Sequence, residues 1–354
     1  MEVLLDKNRI KNFIEVLLGY GRVFASWEKE IFSNRGSKTR RFVREIKDNF
    51  SDYYIPKVRT FDNFKSFVLP GRFKVAEYPS EKWIDIGEKG EKEVLLGIKA
   101  CDLNSFYMID KVFLEDSLFV DPFYKKRRES LILISSDCGD SLDSCFCNVL
   151  GFSPYPEKGF DINIVELKEF YLLEIGSKIG EEISKNLSLN QAGKKELRER
   201  DEKRRKVKDK LEKQNREFSK AFFYLESIAE QAFDSDSGWE LGSACVSCGA
   251  CTNVCPVCYC FTLFDRKGEK ENNYKRFMVW DSCQFKGFSQ MAGGLNPRFS
   301  HIDQFKNRYY HKFFRFYKKF GVYKCTGCGR CIDNCLGGID MREVFLGALE
   351  GVKR

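Results

Sequence analysis

The sequence predicts an α+β chain in three parts. These are an N-terminal α/β domain with a small mixed sheet (residues 1–177), a helical connector (178–238) and a C-terminal α-helical domain (239–354). Three observations carry that reading. The apolar runs Val94–Ile98 and Leu131–Ile134 flank a helical pattern, and strand, helix, strand in that order builds a partly parallel sheet. Helical periodicity fills most of residues 178–233. Two cysteine runs of identical spacing bracket a 69-residue insert, 256–324, long enough for several helices.

Taken in order, Val3, Leu4, Ile10, Phe13, Ile14, Leu17 and Leu18 make a helical stripe that Gly19 and Gly21 stop. Lys38–Arg44 is basic and reads as a solvated face. Ser66–Leu69 reads as a strand before Pro70, and Val94–Ile98 as another. Cys101-Asp102 opens a helix through Val112 with Asp102 as its cap. Asp121-Pro122 opens the next helix, cap followed by proline. Leu131–Ile134 and Asp161–Val165 are further strands. The connector breaks at Ser188–Gly193. Beyond the break, Glu196/Arg200, Glu199/Lys203, Asp201/Arg205 and Glu202/Lys206 are acid-first i,i+4 pairs, the mark of a solvated helix. Val207, Leu211, Phe218, Phe222, Leu225 and Ala229 then form a stripe that docks it on the body.

Composition narrows the function classes. At 43% hydrophobic and 15% aromatic the chain can bury a substantial core. No run reaches the roughly 18 apolar residues of a membrane span, and charges interrupt the start of the chain where a secretory signal needs an apolar run. A net charge of +8 is modest for 60 basic and 52 acidic residues, so it permits an acidic partner and does not argue for nucleic acid. Arg298–Tyr323 interleaves basic and aromatic residues, a pattern that also serves single-stranded nucleic acid. Its position between the cysteine runs makes cations facing a negative site the simpler explanation.

The cysteine runs carry the chemistry. Cys245-x2-Cys248-x2-Cys251-x3-Cys255-Pro and Cys325-x2-Cys328-x2-Cys331-x3-Cys335 share the spacing of bacterial ferredoxin runs that hold [4Fe–4S] clusters. Three thiolates at that spacing wrap one loop over three irons, and the fourth points away to complete the other run's cluster. Cys245, Cys248, Cys251 and Cys335 are therefore assigned to one cluster, and Cys325, Cys328, Cys331 and Cys255 to the second. Gly249, Gly327 and Gly329 suit loops whose backbone approaches sulfur closely. Zinc uses pairs of C-x2-C and leaves the extra steps, each occurring twice, unexplained. The insert is too long for a compact hairpin ferredoxin, so the C-terminal domain reads as an α-helical, ferredoxin-like di-cluster domain. Cluster thiolates must stay reduced, which places the chain in the cytoplasm, with low oxygen.

Four more cysteines follow strand ends. Cys101 comes after one predicted strand, and Cys138, Cys145 and Cys147 after another, where open α/β sheets gather ligands. On spacing alone a third cubane, a zinc site and plain buried cysteines all stand. Cys258, Cys260 and Cys283 lie close to the ligands and read as packing that shields the clusters, against a catalytic dithiol or a further metal site. No nucleophile elbow, Walker A or strand-following G-x-G-x-x-G occurs, and there are only two histidines. No catalytic residue is assigned. One-electron centres without a hydride acceptor cannot oxidise NAD(P)H alone, so the chain is expected to relay electrons between partners.

With these motifs set out, the chain resembles a family of 4Fe-4S dicluster subunits, that of anaerobic sulfite reductase together with the sulfhydrogenase beta subunit. The resemblance rests on Lys99-Ala-Cys-Asp-Leu-Asn, Ser144-Cys-Phe-Cys, both ferredoxin runs, Cys255-Pro-Val-Cys-Tyr-Cys, Trp280-Asp-Ser-Cys and Ser289-Gln-Met-Ala-Gly-Gly, over about residues 60–340. It implies an iron–sulfur electron-transfer role. Such a chain sits between a terminal catalytic subunit, either a sirohaem sulfite reductase or a [NiFe] hydrogenase, and a flavin-containing NAD(P)H-binding subunit. The resemblance also implies a third cluster at Cys101, Cys138, Cys145 and Cys147. The chain departs from the family at Cys335-Leu336, where a proline usually follows the ligand, and in the charged helix near 194–217. Two other classes remain: a catalytic sulfur or disulfide reductase using Cys258, Cys260 and Cys283, and a zinc-binding assembly module.

Overall fold

The computed structural model describes residues 1–33, 36–47, 53–79, 91–115, 118–225, 230–231, 239–269 and 272–353. Its first strands are β1 (Glu2–Asp6), β2 (Arg22–Ser33), β3 (Gly36–Glu45), β4 (Tyr53–Tyr54), β5 (Arg72–Tyr78) and β6 (Glu93–Ile98). They are followed by β7 (Leu131–Ser136), β8 (Ile162–Glu166), β9 (Phe170–Ile175), β10 (Asn190–Gln191), β11 (Phe261–Lys267) and β12 (Tyr274–Trp280). The larger sheet has nine strands in the order β10-β1-β9-β8-β7-β6-β2-β3, with β4 also on β2. Its centre, β2-β6-β7-β8, is parallel and its flanks are antiparallel.

Side-chain alternation divides the core at this sheet. Val94, Leu96, Ile132 and Ile134 pack with Phe13, Ile14 and Leu17 of the helix Ile10–Leu18 and with Ile183 of the helix Lys178–Lys185. Leu95, Ile98, Leu131 and Leu133 pack on the other face with Phe106, Ile109 and Tyr124 from the helices Ala100–Phe113 and Pro122–Ser130. The Asp121 carboxylate accepts from the Tyr124 N–H at 2.8 Å, as the Asp-Pro signal predicts.

Several expectations for the sheet and its neighbours need correction. The sheet is mixed but not small, because β9, β1 and β10 extend its parallel centre on one side and β3 and β4 on the other. Val3 and Leu4 belong to β1, paired with β9, and the helix starts only at Ile10. The basic stretch Lys38–Arg44, read as a solvated face, lies in the terminal strand β3, with Arg44 exposed over the Trp27 ring and Arg40 over the Phe61 ring. Charge on a terminal strand blunts edge pairing and hides the strand from periodicity. Residues 65–68 are a short helix rather than a strand, a distinction that four apolar residues cannot carry.

The described residues of the connector hold the helices Lys178–Lys185, Lys194–Gln214 and Ser219–Phe223. Between Lys178–Lys185 and the long helix Lys194–Gln214, the break at 188–193 holds β10, which adds to β1. The long helix is not simply solvated. Glu199–Lys203 and Glu202–Lys206 pair along it at 3.7 and 2.8 Å. Arg200 instead reaches Glu174 at 2.9 Å, and Arg204 reaches Asp137 at 2.7 Å and Glu174 at 2.6 Å. Val207 and Leu211 are buried against Cys138, Cys145 and Cys147, so the helix straps the N-terminal cysteines. Phe218, Phe222 and Leu225 enter the C-terminal core, and Ala229 lies outside the described residues. The insert between the cysteine runs is not all helical: β11 and β12 form a hairpin that pairs with β5. Its alternating aromatic and branched residues carry a strand signal that the length argument passed over. The helix His301–Tyr310 runs on through a wide turn to Phe320. Among the described residues no helix is long and apolar enough to cross a membrane.

Candidate metal centre

Both cysteine runs fold alike. In each, a glycine with positive φ (Gly249 at 71°, Gly329 at 72°) precedes a one-turn helix, Ala250–Asn253 or Arg330–Asp333. The fourth cysteines cross over. A Cβ on Gly337, two residues after Cys335, would come within 2.0 Å of the Ala244 carbonyl and 3.6 Å of the Cys245 Cα, so this backbone lies against the first run. Conversely, Lys312 Nζ lies 3.5 Å from Cys255 Sγ and donates to the carbonyl of Lys324, next to Cys325, at 2.5 Å. Cys335 thus lies beside the first run and Cys255 beside the second.

The surroundings are built for negative charge. Lys65, Arg308, Lys312 and Lys324 are all at most 4% exposed. Arg308 donates to the Cys251 carbonyl at 3.0 Å and approaches Cys258 Sγ at 3.6 Å, while Lys324 lies 3.2 Å from the centre of the Tyr259 ring. Burial brings Lys324 down to about 8 and also lowers Lys65. Burial works against Lys312 too, yet Cys255 and Cys258 hold it above its ordinary value. Four buried cations need concentrated anionic charge nearby, which thiolate-bound clusters supply. Burial pushes the unligated thiols up, Cys138 and Cys325 to about 12 and Cys251 to about 11, so metal binding there displaces protons. Among the described residues no three His, Cys, Asp or Glu side chains close on a single metal ion. A cluster, whose thiolates bind separate irons, asks for a wider spread.

The N-terminal cysteines come together as the topology dictates. β6 and β7 are parallel neighbours, so Cys101 and Cys138, just past their ends, emerge on the same side. Cys101, Cys138, Cys145 and Cys147 line one cavity with Arg59, Leu211 and, unexpectedly, Cys328 of the second run. Here the two segments touch backbone to backbone. The Phe146 N–H donates to the Gly327 carbonyl at 2.8 Å, and Cys145 Sγ lies 3.9 Å from the Cys328 carbonyl. A Cβ on Gly327 would come 2.5 Å from the Cys147 backbone, and one on Gly329 would come 2.1 Å from the Ser144 carbonyl. These glycines therefore serve close backbone packing between segments.

Asp102, expected as a cap, sits inside its helix and serves another purpose. Lys99 is the N-cap, and the Asp102 carboxylate accepts two bonds from Arg330, both 2.8 Å, with the pair at 1% and 0% side-chain exposure. Arg330 also donates to the carbonyls of Thr60 and Asp62 at 3.0 Å each. A single arginine between Cys328 and Cys331 gave no sequence signal for this clamp.

A family model described as 4Fe-4S dicluster domain matches residues 244–339, which hold both runs and the insert. Such a domain carries two [4Fe–4S] clusters. The whole chain is also similar to Sulfhydrogenase 2 subunit beta of Pyrococcus furiosus, 30% identical over 354 residues that cover 99% of each chain. The chain belongs to the sulfhydrogenase beta subunit family. No solved structure matches it. In this family member, Cys258 lies among Lys65, Arg308, Lys312 and Lys324, while Cys260 and Cys283 line a neighbouring cavity. Cys258 is hydrogen-bonded to the Cys255 thiol, which holds it well below its ordinary value. The bond between Cys260 and Cys283 likewise brings Cys283 down to about 7.

Proposed function

We propose that this chain is the electron-relay component of an oxidoreductase complex, passing electrons between a terminal catalytic subunit of sulfite reductase or [NiFe] hydrogenase type and a flavin-containing NAD(P)H-binding subunit. Cys245, Cys248, Cys251 and Cys335 hold one [4Fe–4S] cluster, and Cys325, Cys328, Cys331 and Cys255 the other. Cys101, Cys138, Cys145 and Cys147 hold a third. The observation that carries the reading is the crossing of two cysteine runs over a buried group of cations. Bound clusters supply one-electron transfer and no hydride chemistry. The protein's own residues set their environment: Arg308 and Lys312 hold positive charge beside the thiols, and the strap helix keeps water from the N-terminal set. Division into residues 1–177, 178–238 and 239–354, and a cytoplasmic setting, belong to the same proposal.

Single-cysteine variants test it. Cys251→Ala and Cys331→Ala should each lose about four irons and a different part of the reduced-cluster electron paramagnetic resonance spectrum. Cys145→Ala should lose about four irons and leave both of those signals in place. Electron passage from a copurified flavin subunit to a viologen acceptor should fall in each. Full iron content and full relay in all three variants would overturn the reading.

A further inference from the structure

The four buried cations around the crossed runs have no carboxylate to meet them. Arg308 and Lys312 stand four residues apart on one helix face. Lys312 falls in the wide turn His311–Arg315, a π-helical stretch of a kind that is rare and frequent at functional sites. Its Nζ donates to the Lys324 carbonyl at 2.5 Å and lies 3.5 Å from Cys255 Sγ. Arg308 is spent on the Cys251 carbonyl and Cys258 Sγ, and Lys324 on the Tyr259 ring. Lys65 faces the Thr252 and Asn253 carbonyls at 3.4 Å each and the Trp280 ring at 4.0 Å. Among the described residues no Asp or Glu pairs with any of the four. By contrast, Arg330 is matched by Asp102 and Arg59 by Asp333. An ionised Cys258 would offset only one of the four charges.

These charges are not shared equally between the two runs. Lys312 touches Cys255, and Lys324 immediately precedes Cys325. Cys255, Cys325 and Cys328 are each at most 9% exposed, whereas Cys248 of the first run is exposed. Water screens charge near Cys248 but not around the buried thiols. Burial alone opposes the negative charge that reduction adds. Unpaired cations, with an N–H donor held against a ligand sulfur, favour it. We propose that Lys312, backed by its neighbouring cations, makes the cluster of Cys325, Cys328, Cys331 and Cys255 the first of the three to be reduced. The step is the gain of one electron from a low-potential one-electron donor, with no bond made or broken and no proton taken up. Cys328 also borders the N-terminal cysteine cavity, so the first electron is held at the middle of the relay. The proposal rests on the relay reading, which supplies the clusters.

The test is an equilibrium titration of the anaerobically purified, full-length, iron-loaded chain with dithionite and redox mediators, followed by electron paramagnetic resonance. As the potential falls, the first signal of the wild type should be the one missing from Cys331→Ala. A first signal that is instead missing from Cys251→Ala or Cys145→Ala would overturn the proposal, whatever the lysine variants do. Lys312→Met should make reduction of that cluster about tenfold less favourable, a fall of about 59 mV in its one-electron midpoint. The midpoint of the signal missing from Cys251→Ala should stay within a third of that shift. Lys312→Gln keeps a donor for the Lys324 carbonyl and removes the charge, so it should show the same fall. A wild-type midpoint in Lys312→Gln would mean that Lys312 is only a tether, and would overturn the proposal. A chain with no iron or labile sulfide would sink the relay reading itself. A chain with about twelve irons that takes its first electron elsewhere would sink only this inference.

Discussion

Arg330 and Asp102 are buried together between the N-terminal cysteines and the second run, each the other's charge partner. Removing one leaves an unpaired buried charge, which costs roughly 3–5 kcal/mol, whereas replacing both with apolar groups is far milder. Asp102→Asn should therefore lower the thermal midpoint strongly in anaerobic melts, and Asp102→Leu with Arg330→Met should recover much of the loss. Equal loss in the single and double variants would show that the pair matters for something other than its charge. His311 gives a pH prediction at the same scale. Burial and the nearby Lys324 cation bring it down to about 3, from an ordinary value near 6.5 in the unfolded chain. Between those values the unfolded state binds the extra proton. Stability contributed by neutral His311 is thus present above about pH 6.5 and is lost as pH falls toward 3, at up to about 1.4 kcal/mol per unit. His311→Asn should flatten the wild-type decline in melting temperature between pH 6.5 and 4.5, and an unchanged slope would contradict the assignment. At this scale the sequence was only partly readable. The twelve candidate cysteines stood out by spacing and by following strand ends. The Arg330–Asp102 clamp did not, because its partners are 228 residues apart and the motifs that hold them say nothing of their pairing.

Among the elements, the Gly327–Gly329 turn and the strap helix make the sharpest claims. Gly151 and Gly329 both have positive φ, 78° and 72°, but only Gly329 faces backbone where a Cβ would go. Gly151→Ala should cost about 1 kcal/mol from conformation alone. Gly329→Ala should cost distinctly more and reduce iron retention, because the turn must part from Ser144. Equal effects would argue against the close packing of the two segments. Leu211 is fully buried in the strap helix and lines the cavity of the N-terminal cysteines. Leu211→Ala should cost about 2–5 kcal/mol and speed loss of that set's iron to a chelator, leaving the other clusters' iron in place. The sequence marked this helix by its charges and took it as solvated. Apolar spacing showed Val207 and Leu211, but sequence alone cannot say that Arg200 and Arg204 turn inward to Glu174 and Asp137.

For the whole molecule, the resemblance in the motifs and the full-length similarity agree on the family, and the structure adds how its parts are joined. β5 from the N-terminal part pairs with the hairpin of the cysteine insert, and the second run lies on the Ser144–Cys147 loop. The strand centre of the sheet was legible because buried parallel strands are uninterrupted apolar runs. The sheet's order and the pairing of β5 with the β11–β12 hairpin were not, since pairing between distant segments leaves no local signal. The proposed relay calls for clusters on the two interlaced cysteine runs and on the neighbouring third set. Iron and acid-labile sulfide analysis of the anaerobically purified wild-type chain tests that most directly. About twelve irons and a matching amount of sulfide per chain are expected. A colourless protein holding zinc, with no labile sulfide, would contradict it.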